Sequence, residues 1–189
     1  MNLKLNPVYK RLLAVVVVIA PIFWLVFTED GQRRTDSVVL FLWGESEIKL
    51  NLKALDNQFT EQDLKTVFPD IEWKCQDTKT EFGDRLCASR IGTYNGIPSH
   101  AIAIFFMHDR INGVRINYRR IYHDQLVQQL WQQLGSPMKL APNPQDKTAT
   151  DTILRWDTGK GYVIVKQTLG KSEEPALLWL PHGVAPQAG

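Results

Sequence analysis

From Leu12 to Phe27 the chain carries no charged side chain (LLAVVVVIAPIFWLVF). With Val8 and Tyr9 before it and Thr28 after it, the apolar run approaches the ~20 residues that cross a bilayer as a helix. The β-branched stretch Val15–Ile19 is a poor helix former in water. Lipid offers the backbone no other hydrogen-bond partner, so a helix is expected there all the same. Lys4, Lys10 and Arg11 precede the run, and Glu29 and Asp30 follow it. The positive-inside rule then places the N-terminus in the cytoplasm and the rest of the chain outside. Phe23, Trp24 and Phe27 suit an aromatic belt at the outer interface. Pro21 removes one backbone donor and reads as a tolerated kink or as a notch for a partner helix. The competing reading is a cleaved signal peptide. It wants small residues at the end of the run, where the chain has the bulky Phe23–Phe27.

After a charged linker, Glu29–Asp36, the pattern becomes that of a water-soluble α+β fold. Ser37–Trp43 and Ile48–Leu52 read as short strands. Thr60-x-x-Asp63 resembles a capping box and predicts a helix over about Glu61–Phe68, stopped by Pro69, with Leu64, Val67 and Phe68 on its apolar face. Leu86–Thr93, Ser99–His108 and Val114–Arg120 read as a meander, with Ser99–His108 central and turns at Asn95-Gly96 and Asn112-Gly113. A second helix, His123–Leu134, buries Leu126, Val127, Leu130, Trp131 and Leu134. It wets five glutamines and stops at Gly135. Asp124 or His123 is expected to start it. The loop Ala141–Thr150 leads to strands Thr152–Trp156, Tyr162–Thr168 and Ala176–Leu180. The expected organisation is thus a stub and anchor (1–28), a linker (29–36), a first α+β unit with a disulfide (37–121), a second helix-plus-meander unit (122–181) and a flexible tail (182–189).

Cys75 and Cys87 flank a polar stretch, QDTKTEFGDRL, read as a loop. Outside the cytoplasm such a pair is expected to form a disulfide, and the alternative is two buried thiols. Metal is not expected, since no CxxC pair occurs. Topology and cysteines together point to the periplasmic face of a bacterial inner membrane.

A helix ending Leu134-Gly135-Ser136-Pro137, followed by strands that carry Trp156 and Tyr162, resembles the small envelope domains of the BamE/SmpA and β-lactamase-inhibitor-protein type. The resemblance covers about 60 residues and implies a protein-binding module. Neither cysteine follows the hydrophobic run, so the lipobox of the lipoprotein members is missing.

The composition is ordinary, 44% hydrophobic and 22% charged, and the net charge of +2 gives no reason to expect nucleic acid. No catalytic constellation is read. An H…HD…D set (His100, His108-Asp109, His123-Asp124) would suggest a metal-dependent hydrolase, but the pairs fall at a strand end and a helix start. Gly170-Lys171-Ser172 lacks the first glycine of a phosphate loop, with Val165 in its place. The arginines Arg85, Arg90, Arg110, Arg115, Arg119 and Arg120 cluster in the central meander. Arg115 and Arg119 share a strand face, with Val114, Ile116 and Tyr118 opposite. They read either as a solvated face or as a site for an anionic glycan, a lipid headgroup or an acidic protein. Of the six tryptophans, Trp73, Trp131, Trp156 and Trp179 suit core or half-buried positions, and Trp43 an interface anchor near the membrane. The reading is a non-catalytic accessory, scaffold or assembly subunit of an inner-membrane or envelope complex. It needs no cofactor, and its partners are the bilayer and other membrane or periplasmic proteins. The alternative is a binding or sensing module for an anionic glycan or headgroup.

Overall fold

The computed structural model describes residues 7–28, 30–32, 35, 46–140, 152–170 and 173–183. The expected strand Ser37–Trp43, with Trp43, lies outside the described residues. So do the whole loop Ala141–Thr150, Lys171-Ser172 and most of the tail. The chain divides into two compact units, residues 1–44 and 45–189.

The first unit holds helix α1, Pro7–Phe27, which runs through Pro21. Its Tyr9–Phe27 stretch, 19 residues with mean hydropathy 2.2, is long and apolar enough to cross a membrane. No side chain of that stretch is buried. A helix so apolar on every side needs lipid or protein around it. The Phe23 and Phe27 rings stack one turn apart, 4.3 Å between centroids. Thr28 donates its hydroxyl to the Trp24 carbonyl at the helix end (2.7 Å).

The second unit is a mixed α+β domain, mostly sheet. Its strands are β1 Glu47–Ile48, β2 Lys74–Thr80, β3 Gly83–Arg90, β4 Thr93–Tyr94, β5 Ile97–Met107, β6 Arg110–Tyr118, β7 Met138–Leu140, β8 Ile153–Asp157, β9 Gly161–Lys166 and β10 Ala176–Pro181. Helix α2 spans Glu61–Val67, and α3 spans His123–Leu134. The sheet order is β1-β4-β5-β6-β10-β9-β8-β7, with β3 sharing an edge of β5 with β4, and β2 outside β3.

The strands after each helix do not make two separate units. β10 returns antiparallel to β6, Trp179 opposite Val114, and fuses both meanders into one sheet. One hydrophobic core then serves the domain. Ile102, Ile104, Phe106, Val114, Ile116, Trp156, Val163 and Trp179 pack from the sheet, and Leu64, Leu126 and Leu130 from the helices. Burying that continuous apolar face is the main term holding the domain together.

The Thr60 capping box forms as expected: the Asp63 amide donates to the Thr60 hydroxyl, and the Asp63 carboxylate accepts from the Thr60 amide. Leu64 is fully buried, but Val67 is 56% exposed, so the helix meets the core along a narrower stripe than its composition suggests. Asn95-Gly96 is a turn with both residues at positive φ (46° and 80°).

Asn112-Gly113 is not a turn. The β5–β6 reversal falls at His108-Asp109, both left-handed (φ 51° and 60°). Asn112 occupies a bulge within β6, where Phe105 faces Gly113 and Phe106 faces Ile111. A Cβ at Gly113 would stand 3.3 Å from the Leu180 side chain and 3.6 Å from Phe105, so there is little room for a side chain there. The stretch between the cysteines is likewise no loop but the β2–β3 hairpin. The β2 side chains are polar on both faces because it is an edge strand. No side chain of Tyr122, the residue before α3, caps that helix. A single 3₁₀ turn, Arg120–Tyr122, leads into it instead.

Candidate functional site: the open face of the sheet

Side chains of a strand alternate between faces, so pairing in register sorts the whole sheet. The face of Ile102 and Ile104 receives the helices. On the other face one row crosses eight strands: Lys74, Ala88, Ala103, Arg115, Leu178, Ile164, Arg155, Met138. At ~4.8 Å per strand that row is roughly 34 Å long. Flanking rows add Leu86 and Phe105 on one side and Ala101, Asn117 and Ala176 on the other. Most of these side chains are half-buried by their neighbours alone. Both helices bury their apolar residues on the opposite side.

The middle of the face is flat and apolar because Ala88, Ala101 and Ala103 carry only a methyl. Phe82, in the β2–β3 turn, leans over its edge onto Phe105, ring centroids 5.2 Å apart. A groove of about 310 Å³ crosses the centre, with Ile164 and Leu178 in its lining and Glu173 and Glu174 on one wall. Arg115 borders it and donates from Nε to Asn117 (3.1 Å). Arg155 lies over the Tyr162 ring, 4.7 Å from its centroid. Lys166 pairs with Glu173 at 2.5 Å.

The six arginines do not form one ladder. Arg90 and Arg115 belong to the open face. Arg85 aligns with Phe106 and so lies on the helix side, where Glu61 and Asp77 take its guanidinium. Arg110 donates to the Gln58 carbonyl (2.8 Å). Arg120 is bound to the carbonyls of Leu169, Gly170 and Glu173. Arg119 is half-buried just beyond β6. Hydrogen bonding by Arg85, then Lys65, pulls the Glu61 carboxyl down to about 2, and Glu61 in turn raises Arg85.

The histidines do not converge. His100 and His108 sit eight residues apart on an extended strand and its turn, roughly 25 Å at strand rise. One ion cannot bridge them. His123 is buried and committed elsewhere: its Nε2 lies 3.1 Å from the Gln167 carbonyl, and its Nδ1 lies 2.8 Å from the Tyr118 hydroxyl. A carbonyl only accepts, so the neutral ring carries its proton on Nε2 and accepts from Tyr118 at Nδ1. Burial raises the Tyr118 phenol, which keeps it a donor. Glu61 lies near the sulfurs of Cys75 and Cys87, but those sulfurs are bonded to each other as a disulfide and offer no thiolate. Nothing local in the sequence marks Arg155, Leu178, Ile164 and Phe105 as one surface. Their alternation was visible, but the β6–β10 pairing that joins them is not local.

No protein-family model matches the chain, and no curated protein matches it. Among solved structures, the chain is similar to a DUF4309 family protein (YjgB) from Bacillus subtilis subsp. subtilis str. 168, with 16% identity, a TM-score of 0.38 and coverage of 67% of this chain and 80% of that one. A likeness of that size carries no argument about function.

Proposed function

We infer that the protein is a non-catalytic accessory or assembly subunit of a bacterial inner-membrane or envelope complex. It is held by α1 with its N-terminus in the cytoplasm, and it engages a partner protein through the open sheet face in the periplasm. The observation that carries this reading is the row from Ala88 to Arg155. It is a broad surface with an apolar centre and two arginines, a composition found at the core of protein interfaces. The apolar helix supports the membrane placement, and the disulfide suits an oxidising compartment. The resemblance of the second helix and the strands after it, about 60 residues, to small envelope domains points the same way.

A second reading, capture of an anionic glycan or lipid headgroup, keeps Arg90 and Arg115 as its anchors. No ion pair of either arginine occurs among the described residues. The test is to isolate the tagged protein from native membranes in mild detergent. Membrane partners at fixed stoichiometry support the subunit reading. A companionless monomer removes it and leaves the anionic ligand to be screened against Arg115→Glu.

A further inference from the structure

Trp131 is spaced for the core, one turn from Val127 and two from His123, yet it is 49% exposed. The fold keeps His123, Leu126 and Leu130 inside and leaves the indole on the rim of a groove of about 510 Å³. α3 forms one wall of the groove. Lys139 of β7, Leu154 of β8 and Gln167 form the other. The volume lies in the range of small-ligand clefts.

The rim chemistry is unusual for a surface helix. From Gln125 to Met138 no residue is charged, and Gln125, Gln128, Gln132 and Gln133 are exposed along α3 beside Trp131. Gln128, Gln132 and Gln167 all edge the groove, beside one acid, Asp124, and one base, Lys139. Each amide offers donors and an acceptor together, the complement of a hydroxyl, which is also both. Asp124 and Lys139 leave the rim with no net formal charge. An exposed indole beside Val127 offers a flat apolar platform for the C–H face of a pyranose ring.

We propose that this groove binds an uncharged oligosaccharide, one ring resting on Trp131 and its hydroxyls held by the glutamine amides. The site is separate from the open sheet face and does not depend on the function proposed for that face.

The test uses the full-length chain in a detergent without a sugar headgroup, titrated with chitotetraose, cellotetraose and maltotetraose. Saturation transfer to the sugar protons and calorimetry are the readouts. At least one sugar binds, Trp131→Ala weakens it by about tenfold or more, and Trp131→Tyr stays within a few-fold. Arg115→Glu leaves it unchanged. Since Trp131 is exposed, the alanine variant keeps its melting temperature, which confirms that the fold is intact. Absence of binding by all three sugars at millimolar concentration overturns the proposal, as does binding indifferent to Trp131→Ala. If no sugar binds and Trp131→Ala strips a stoichiometric partner from the native complex, the groove is a protein dock and the proposal is wrong.

Discussion

Cys75 and Cys87 face each other directly across β2 and β3, their Cα atoms 4.0 Å apart and their sulfurs bonded. The bridge ties the edge strand, which has almost no apolar face of its own, to a strand that enters the core. Cys87 is fully buried, and Cys75 packs against the same core. Replacing both by serine is expected to cost about 2–3 kcal/mol by the loop-closure estimate. Chemical denaturation of the double variant measures this directly. The loss should fall on β2, read as faster amide exchange there than in β5.

Glu61 and Arg85 make a second tie between α2 and the same hairpin. The folded carboxyl titrates at about 2, below its ordinary 4.5. A lowered carboxyl pKa adds stability that is complete above the unfolded value and disappears as pH falls through the folded one. The contribution is therefore present at pH 5 and above and drains away between about 4.5 and 2. Because Arg85 is exposed to solvent, only a small part of that shift reaches the stability. Glu61→Gln should lower the melting temperature slightly at neutral pH and show a flatter acid limb, followed by melting temperature against pH.

The β5–β6 turn is built from His108 and Asp109, both in the left-handed region. That conformation suits Asn-Gly better, since glycine has no Cβ to strain. His108→Asn with Asp109→Gly is expected to raise stability by about 0.5–1 kcal/mol in thermal unfolding. If His108 and Asp109 held a metal, the same change would instead abolish metal binding, read by elemental analysis of both proteins.

These turns show what the chain reveals locally and what it does not. The Thr60 box, the Asn95-Gly96 turn and the Gly135 stop, with its φ of 83° and its amide bonded to the Trp131 carbonyl, depend on neighbours in sequence and were legible. Asn112-Gly113 carries the strongest hairpin pattern of the domain and is not a turn, because the register of β5 against β6 places the reversal four residues earlier. β2 reads as a loop in the sequence because an edge strand needs no apolar alternation. Spacing alone assigns Trp131 to the core, whereas the packed helix buries Leu126 and Leu130 and leaves the indole half exposed. The arginine cluster disperses because strand neighbours alternate between the two faces and because Arg110 and Arg120 are used to fasten loops. The open face itself depends on β10 returning beside β6, a pairing across some sixty residues.

The central claim is that the open sheet face is where a partner protein docks, and photocrosslinking in living cells tests it most directly. A photoreactive amino acid would replace Leu178 or Ala103 on that face, or Lys65 on the exposed side of α2. The account predicts that positions 178 and 103 both join one and the same membrane or periplasmic protein and that position 65 does not. No adduct at either face position, or an equal adduct at position 65, would contradict it.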